Sequence, residues 1–371
     1  MSLTKKASRV AIAGVVVAAL LIPTATTSAT AATKTALPKL ANAPVIRVGY
    51  FANLTHGPAL IARQQKLFEK FLGKTKVEYT YFTVGTAEIE ALKGGAIDVG
   101  FVGPGPAISG YVTTKGSLLR IVSGAASGGA KFIVKPSLIT TEGKPTGAEI
   151  SALEGKTIAD PGLGGTQDIA LRKYLKGHGL LNTLGTKVNI TPLANADTLT
   201  QFKLGNIDGA WVPEPWATRL VQEGKGKVFL DEASLWPRGQ FATTVIFAGQ
   251  KFLKQYPDSV RAVLQANNAA IDFLNGASNK TDAVNQIQAE LLSGTGKKLA
   301  DPVIAAAWPS LLFTNDPVVS SIRQNFIAAV HLGQLPNVQI KSLRGIFDLR
   351  LLNSLRAAKG QKALSVPKDL K

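Results

Sequence analysis

The apolar positions along the chain predict an α/β protein. Val45-Ile46-Arg47-Val48-Gly49-Tyr50-Phe51 reads as a strand, 52–57 as a turn, and 58–72 as a helix with Pro58 near its first turn. Residues 77–82 alternate as a second strand, 83–86 turn into a helix carrying Ile89 and Leu92, and 97–102 form a third strand. Strand, helix, strand, helix, strand implies a parallel sheet with right-handed crossovers. Further strands are expected at 119–125, 131–134, 157–159, 227–231 and 240–248. From 251 onward the pattern is helical, at 259–274, 282–292, 302–311, 317–332 and 344–356, adding packing layers to the first lobe.

This unit recurs 110 positions later. Leu92-Lys93-x-Gly95-x-Ile97-Asp98-x-x-Phe101-Val102 lines up with Phe202-Lys203-x-Gly205-x-Ile207-Asp208-x-x-Trp211-Val212. The glycines sit where a helix must stop before the next strand, and the aspartates are expected to brace that turn. Two like-built lobes follow: residues 45–134 with 241–371 as lobe 1 and 135–240 as lobe 2, joined by two passages that describe a hinge.

The N-terminus reads as a processing signal. Lys5, Lys6 and Arg9 precede the apolar run from Ala11 to Pro23, and Ala29-Thr30-Ala31 offers a small-x-small cleavage site, so 1–31 is expected to be a signal peptide and 32–44 a flexible leader. No other run approaches the roughly 20 apolar residues that a bilayer needs. The chain has no cysteine, which excludes disulfides, thiolate metal sites, a cysteine nucleophile and a lipidated N-terminus. Its formal charge of +18 falls to about +15 without the signal. The basic residues are scattered rather than interleaved with aromatics, which argues against a nucleic-acid surface and leaves a mild field favouring anions.

In a doubly wound sheet, ligands bind beyond the carboxyl ends of the strands. That rule selects 53–57, 83–86, 103–106, 162–167 and 213–216. The fourth, Pro161-Gly162-Leu163-Gly164-Gly165-Thr166-Gln167-Asp168, is a glycine-rich turn between strand and helix whose backbone N–H groups suit an anion, with Thr166 as a helix cap the alternative.

Gly49-Tyr50-Phe51-Ala52-Asn53-Leu54-Thr55-His56-Gly57-Pro58-Ala59-Leu60, Gly103-Pro104-Gly105-Pro106-Ala107, 163–168 and Ala210-Trp211-Val212-Pro213-Glu214-Pro215-Trp216 together resemble the nitrate/sulfonate/taurine branch of solute-binding proteins for ABC importers. The resemblance implies a bilobed type II periplasmic-binding-protein fold: two doubly wound sheets, a two-segment hinge, and a ligand cleft between the lobes. It also implies closure on a small oxyanion and delivery to a membrane permease, with neither cofactor nor metal. The missing lipidation cysteine points to a periplasmic rather than a lipid-anchored form, and a monomer is expected. Aliphatic sulfonates come first as ligand, with taurine and nitrate behind. An uncharged molecule such as a thiamine-precursor pyrimidine, or a sensory role, is the alternative.

The expected ligand contacts are Asn53, Thr55 and His56; Gly85 and Thr86; Gly103, Pro104 and Gly105; Ser127, Gly128 and Gly129; Gly164, Gly165, Thr166 and Gln167; Trp211; and Glu214. Glu214 would favour a ligand bearing an ammonium if it faced the cleft, and would otherwise brace the hinge. An enzyme is poorly supported. Gly124-Ala125-Ala126-Ser127-Gly128 lacks the spacing of a nucleophile elbow, and His56, His178 and His331 lack zinc-site spacing.

Overall fold

A computed structural model describes residues 42–182 and 185–371. The expected signal segment, and the leader as far as residue 41, lie outside the described residues. Thirteen strands follow in order: β1 (Val45–Phe51), β2 (Lys76–Phe82), β3 (Val99–Val102), β4 (Leu119–Gly128), β5 (Ala130–Val134), β6 (Thr157–Asp160), β7 (Leu181–Asn182), β8 (Gly185–Thr186), β9 (Asn189–Pro192), β10 (Gly209–Pro213), β11 (Lys227–Asp231), β12 (Ala242–Gly249) and β13 (Leu311–Phe313). They build a six-stranded sheet in the order β13-β4-β12-β3-β1-β2, a five-stranded sheet in the order β11-β5-β10-β6-β9, and a small β7-β8 hairpin.

The repeat is visible in register. β1 pairs in parallel with β3 at Val48–Val99, and β6 with β10 at Ile158–Gly209, each partner displaced by 110. An antiparallel strand then flanks each copy, β12 beside β3 and β5 beside β10. The two aspartates do the same work in both lobes. The Arg47 N–H donates to Asp98 Oδ2 at 2.9 Å, and the Thr157 N–H to Asp208 Oδ2 at 2.9 Å. Each carboxylate thereby ties the loop entering one strand to the start of its neighbour.

Gly95 and Gly205 hold φ of +74° and +82°, a region that costs an L-residue about 1–2 kcal/mol. A Cβ on Gly205 meets nothing within 4 Å, so Gly205→Ala isolates the backbone term. Its expected result is a loss of about 1 kcal/mol, read as a lower urea midpoint at unchanged slope.

Both sheets are buried on two faces, as near-continuous apolar strands require. In β5, Phe132 packs with Trp211 and Phe229 on one side, whereas Ile133 joins Ala210, Val212 and Phe202 on the other. The first sheet is covered chiefly by helix Pro257–Asn275 on one face and Pro104–Thr113 with Val319–His331 on the other.

Three expectations change. The helix over 58–72 is two, Gly57–Gln64 and Leu67–Leu72, because Lys66 takes a left-handed φ of +52° between them. The helix over 302–311 ends at Ala307; Pro309 follows in a short 3-10 turn, and the chain then becomes edge strand β13. Residues 130–134, expected with the first lobe, are hydrogen-bonded in the five-stranded sheet. We therefore propose the lobe boundary at Gly128-Gly129, with 232–241 as the return passage.

That return passage is anchored by Glu232. Its buried carboxylate accepts from Trp211 Nε1 at 2.7 Å and Trp236 Nε1 at 3.3 Å. Loss of hydration outweighs both donors and pushes its pKa up to about 7. The protonated form is thus favoured on folding, so this contribution is complete below the ordinary glutamate range near 4.5 and is lost as pH rises through about 7. Stability and tryptophan emission are expected to share an inflection near pH 7 that Glu232→Gln removes.

Candidate functional site

The starts of three helices converge between the lobes. Helix Gly85–Lys93 comes from the first lobe; Thr166–Gly177 and Asn195–Leu204 come from the second. Their N-cap residues are Val84, Gly165 and Ala194, and none makes a side-chain cap. Among the described α-helices only Gly147–Ser151 carries a side-chain cap, the capping box of Thr146 and Glu149, so what sets these three ends apart is their convergence on one cavity. At the three converging ends the leading N–H groups are left for something else. Aligned peptide dipoles make each end equivalent to about half a positive charge.

The cavity between these ends has a volume of about 50 Å³, room for a few waters or a compact ligand group. Asn53, Thr55, His56, Gly85, Thr86, Gly103, Gly165, Thr166 and Gln167 line it, which brings together nine of the expected residues. No lining residue is an acid, lysine or arginine. His56 is neutral as well. It is fully enclosed, burial pushes its imidazole down to about 3, and Nδ1 accepts from the Phe51 N–H at 3.3 Å. Its proton therefore sits on Nε2, as an uncharged donor.

The glycine-rich loop is organised from below. Asp160 accepts from the Gly162 N–H at 2.8 Å and Asp168 from the Gly164 N–H at 2.8 Å. Burial, with the Asp168 carboxylate beside it, holds the Asp160 carboxyl above the usual carboxylate range. Arg172 Nε donates to Asp168 at 2.5 Å and Gln334 Nε2, from the opposite lobe, donates to the same carboxylate. These contacts use the N–H of Gly164, and the Gly165 N–H donates to Gly162 C=O. The donors facing the cavity are consequently those of the helix start, not of the glycines.

Eight expected residues do not line the cavity. Pro104 has no N–H to offer, and the Gly105 N–H donates to Thr166 Oγ1 across the lobes at 3.1 Å. Thr166 is therefore an interlobe acceptor rather than the cap of its own helix. Gly164 belongs to the loop, but its N–H is held by Asp168. Ser127 Oγ accepts from the Phe241 N–H at 3.1 Å, and Gly128 and Gly129 form the crossing between sheets. Trp211 is fully buried in the second lobe, stacked on Phe132 with ring centroids 5.5 Å apart. Glu214 is fully buried and turned from the cavity. Lys131 Nζ lies 2.9 Å from its Oε1, and the Thr218 N–H donates to Oε2 at 3.0 Å.

Asn195, Phe51, Pro213 and Thr243 also line the cavity and are absent from the expected set. Asn195 had a readable signal: it lies 110 positions after Gly85, at the equivalent helix start of the second lobe.

A model of the NMT1-like family matches residues 40–288. The chain belongs to the NMT1-like family. Among curated relatives of this NMT1-like chain is an Escherichia coli (strain K12) protein named for binding aliphatic sulfonates, 26% identical over 261 residues, covering 67% of this chain and 70% of that protein. The nitrate/nitrite binding protein NrtA of Nostoc sp. (strain PCC 7120) is 26% identical, covering 65% and 58%, and the taurine-binding periplasmic protein of Escherichia coli (strain K12) is 27% identical, covering 55% and 59%. Among solved structures, the alkanesulfonate-binding protein SsuA of Xanthomonas axonopodis pv. citri superposes with a TM-score of 0.64 at 20% identity, over 80% of this chain and 96% of that one. The nitrate-binding protein NrtA of Synechocystis PCC 6803 gives 0.68 at 18% identity, over 88% and 90%. The NMT1-like chain thus has the bilobed periplasmic-binding-protein fold, and its relatives are solute-binding proteins rather than enzymes.

Proposed function

We propose that this chain is the extracytoplasmic solute-binding component of an ABC importer, capturing a small organic oxyanion and passing it to a membrane permease. Aliphatic sulfonates are the first candidate, followed by taurine and nitrate, the ligands for which its relatives are named. The observation that carries this reading is the convergence of three uncapped helix starts from both lobes on one small cavity. In the open state water serves these N–H groups. When the lobes close on ligand, water leaves, and the dipoles act on the oxyanion in a medium of lower dielectric. Thr86 and Gln167 add side-chain donors, and no covalent step is involved.

The absence of a cation from the lining favours one second reading, an uncharged ligand such as a pyrimidine. Calorimetric titration with ethanesulfonate, taurine, nitrate and an uncharged pyrimidine separates the two. Saturable one-to-one binding of a sulfonate supports the oxyanion reading. Binding of the pyrimidine alone, with no response to any anion, overturns it.

A further inference from the structure

A second cavity of about 320 Å³ adjoins the first. Phe51, Asn53, Thr83 and Asn195 line both, so those four residues form the neck between them. Beyond the neck the walls are mainly apolar, from Phe82, Leu199, Trp216, Leu291 and Leu299, with Arg219 and Lys297 the cations among them. The wall carrying Leu291 is firmly seated. Glu290, on the same helix (Lys280–Thr295), is buried and accepts from Arg63 Nη1 at 2.5 Å, Gln64 Nε2 at 2.6 Å and Tyr50 Oη at 2.8 Å. Gly294 approaches so closely that an added Cβ would lie 2.5 Å from the Tyr81 ring. The neck is fixed from both lobes, since Trp216 Nε1 donates to Asn53 Oδ1 at 2.8 Å. Asn195 also lines the neck, nine-tenths buried, and its Oδ1 has no hydrogen-bond partner among the described residues. A buried acceptor left empty costs free energy that a ligand donor recovers.

We infer that the two cavities are one bipartite site. Its ligand carries an oxyanion head at the helix starts, an N–H or O–H donor at the neck for Asn195 Oδ1, and an apolar body in the larger chamber. This rests on the oxyanion reading above and narrows it to substituted amino- or hydroxysulfonates with a hydrocarbon body. Nitrate and short unsubstituted sulfonates fill only the head.

Four probes separate the parts: ethanesulfonate (head), taurine (head and donor), hexanesulfonate (head and body), and 2-(cyclohexylamino)ethanesulfonate (all three). The expected result is taurine roughly fivefold tighter than ethanesulfonate. Hexanesulfonate is expected to be about tenfold tighter or better, and the cyclohexylamino compound tightest of all. Asn195→Ala is expected to erase the taurine advantage while leaving the hexanesulfonate advantage in place. Thr200→Trp, which fills the chamber from an exposed helix position, is expected to do the reverse, as is Leu199→Trp if its melting transition is intact. Ethanesulfonate binding with all four probes within twofold overturns the bipartite site and leaves the oxyanion reading standing. Silence toward all four overturns both.

Discussion

Gly105→Leu is expected to weaken ethanesulfonate binding by at least about a hundredfold, a loss of roughly 3 kcal/mol, while the unliganded protein keeps its melting temperature within a few degrees. The reason is where the side chain would go. A Cβ on Gly105 lies 3.0 Å from Gly165 C, 3.0 Å from Thr166 N and 3.1 Å from Gly164 O, all backbone of the opposite lobe and so unable to rotate away. Leucine adds three more carbons at that contact. Within its own lobe Gly105 is in the first turn of helix Pro104–Thr113, where leucine has better intrinsic propensity than glycine. The substitution therefore penalises the closed arrangement and not the fold of either lobe. Solution scattering distinguishes this from a direct loss of contacts: the variant's radius of gyration should exceed that of the ligand-bound wild type and stay unchanged when ligand is added. A variant that closes normally and still fails to bind would show that Gly105 touches the ligand itself.

The lobes were legible in the chain because each carries its own copy of the same local rules. Apolar runs, a glycine stop and a bracing aspartate recur at one offset, and the register Val48–Val99 against Ile158–Gly209 repeats at that offset. The loops lining the cavity were legible for a related reason, since strand ends in a parallel sheet share one edge. What pattern reading lacks is the direction in which a side chain leaves its loop. Trp211 and Glu214 sit in or beside a strand end, yet Trp211 alternates inward to Phe132 and Glu214 turns to Lys131. The fate of N–H groups is hidden as well. Sequence spacing marks the glycines of 162–165 as anion donors, and only the folded positions of Asp160 and Asp168 reveal that two of those groups are occupied. Residues 130–134, expected with the first lobe, pair in the five-stranded sheet although they follow β4 almost directly. The crossing consists of two adjacent glycines, without the polar linker that usually marks a boundary.

Glu214→Ala is expected to destabilise the protein by about 3 kcal/mol. Glu214 is fully buried and its partner Lys131 keeps 17% of its side chain exposed, so removing the carboxylate strands an ammonium that is mostly out of water. The first turn of helix Trp216–Gln222 also loses the acceptor for its Thr218 N–H. The same residue ties the lobes together through its backbone: Leu54 N–H donates to Glu214 C=O at 3.1 Å, and Glu214 N–H to Gly129 C=O at 2.8 Å. Pairing Glu214→Gln with Lys131→Met removes the charge from both partners and keeps an acceptor for Thr218, so the double variant is expected to be at least about 1 kcal/mol more stable than Glu214→Ala. Urea denaturation of the three proteins measures this directly. Ligand selectivity gives an independent reading. Because the carboxylate faces Lys131, the ratio of taurine to ethanesulfonate affinity is expected to be the same in Glu214→Gln as in the wild type. A ratio that falls with loss of the carboxylate would place Glu214 against the ligand's ammonium, and the neck residue Asn195 would then no longer be its partner.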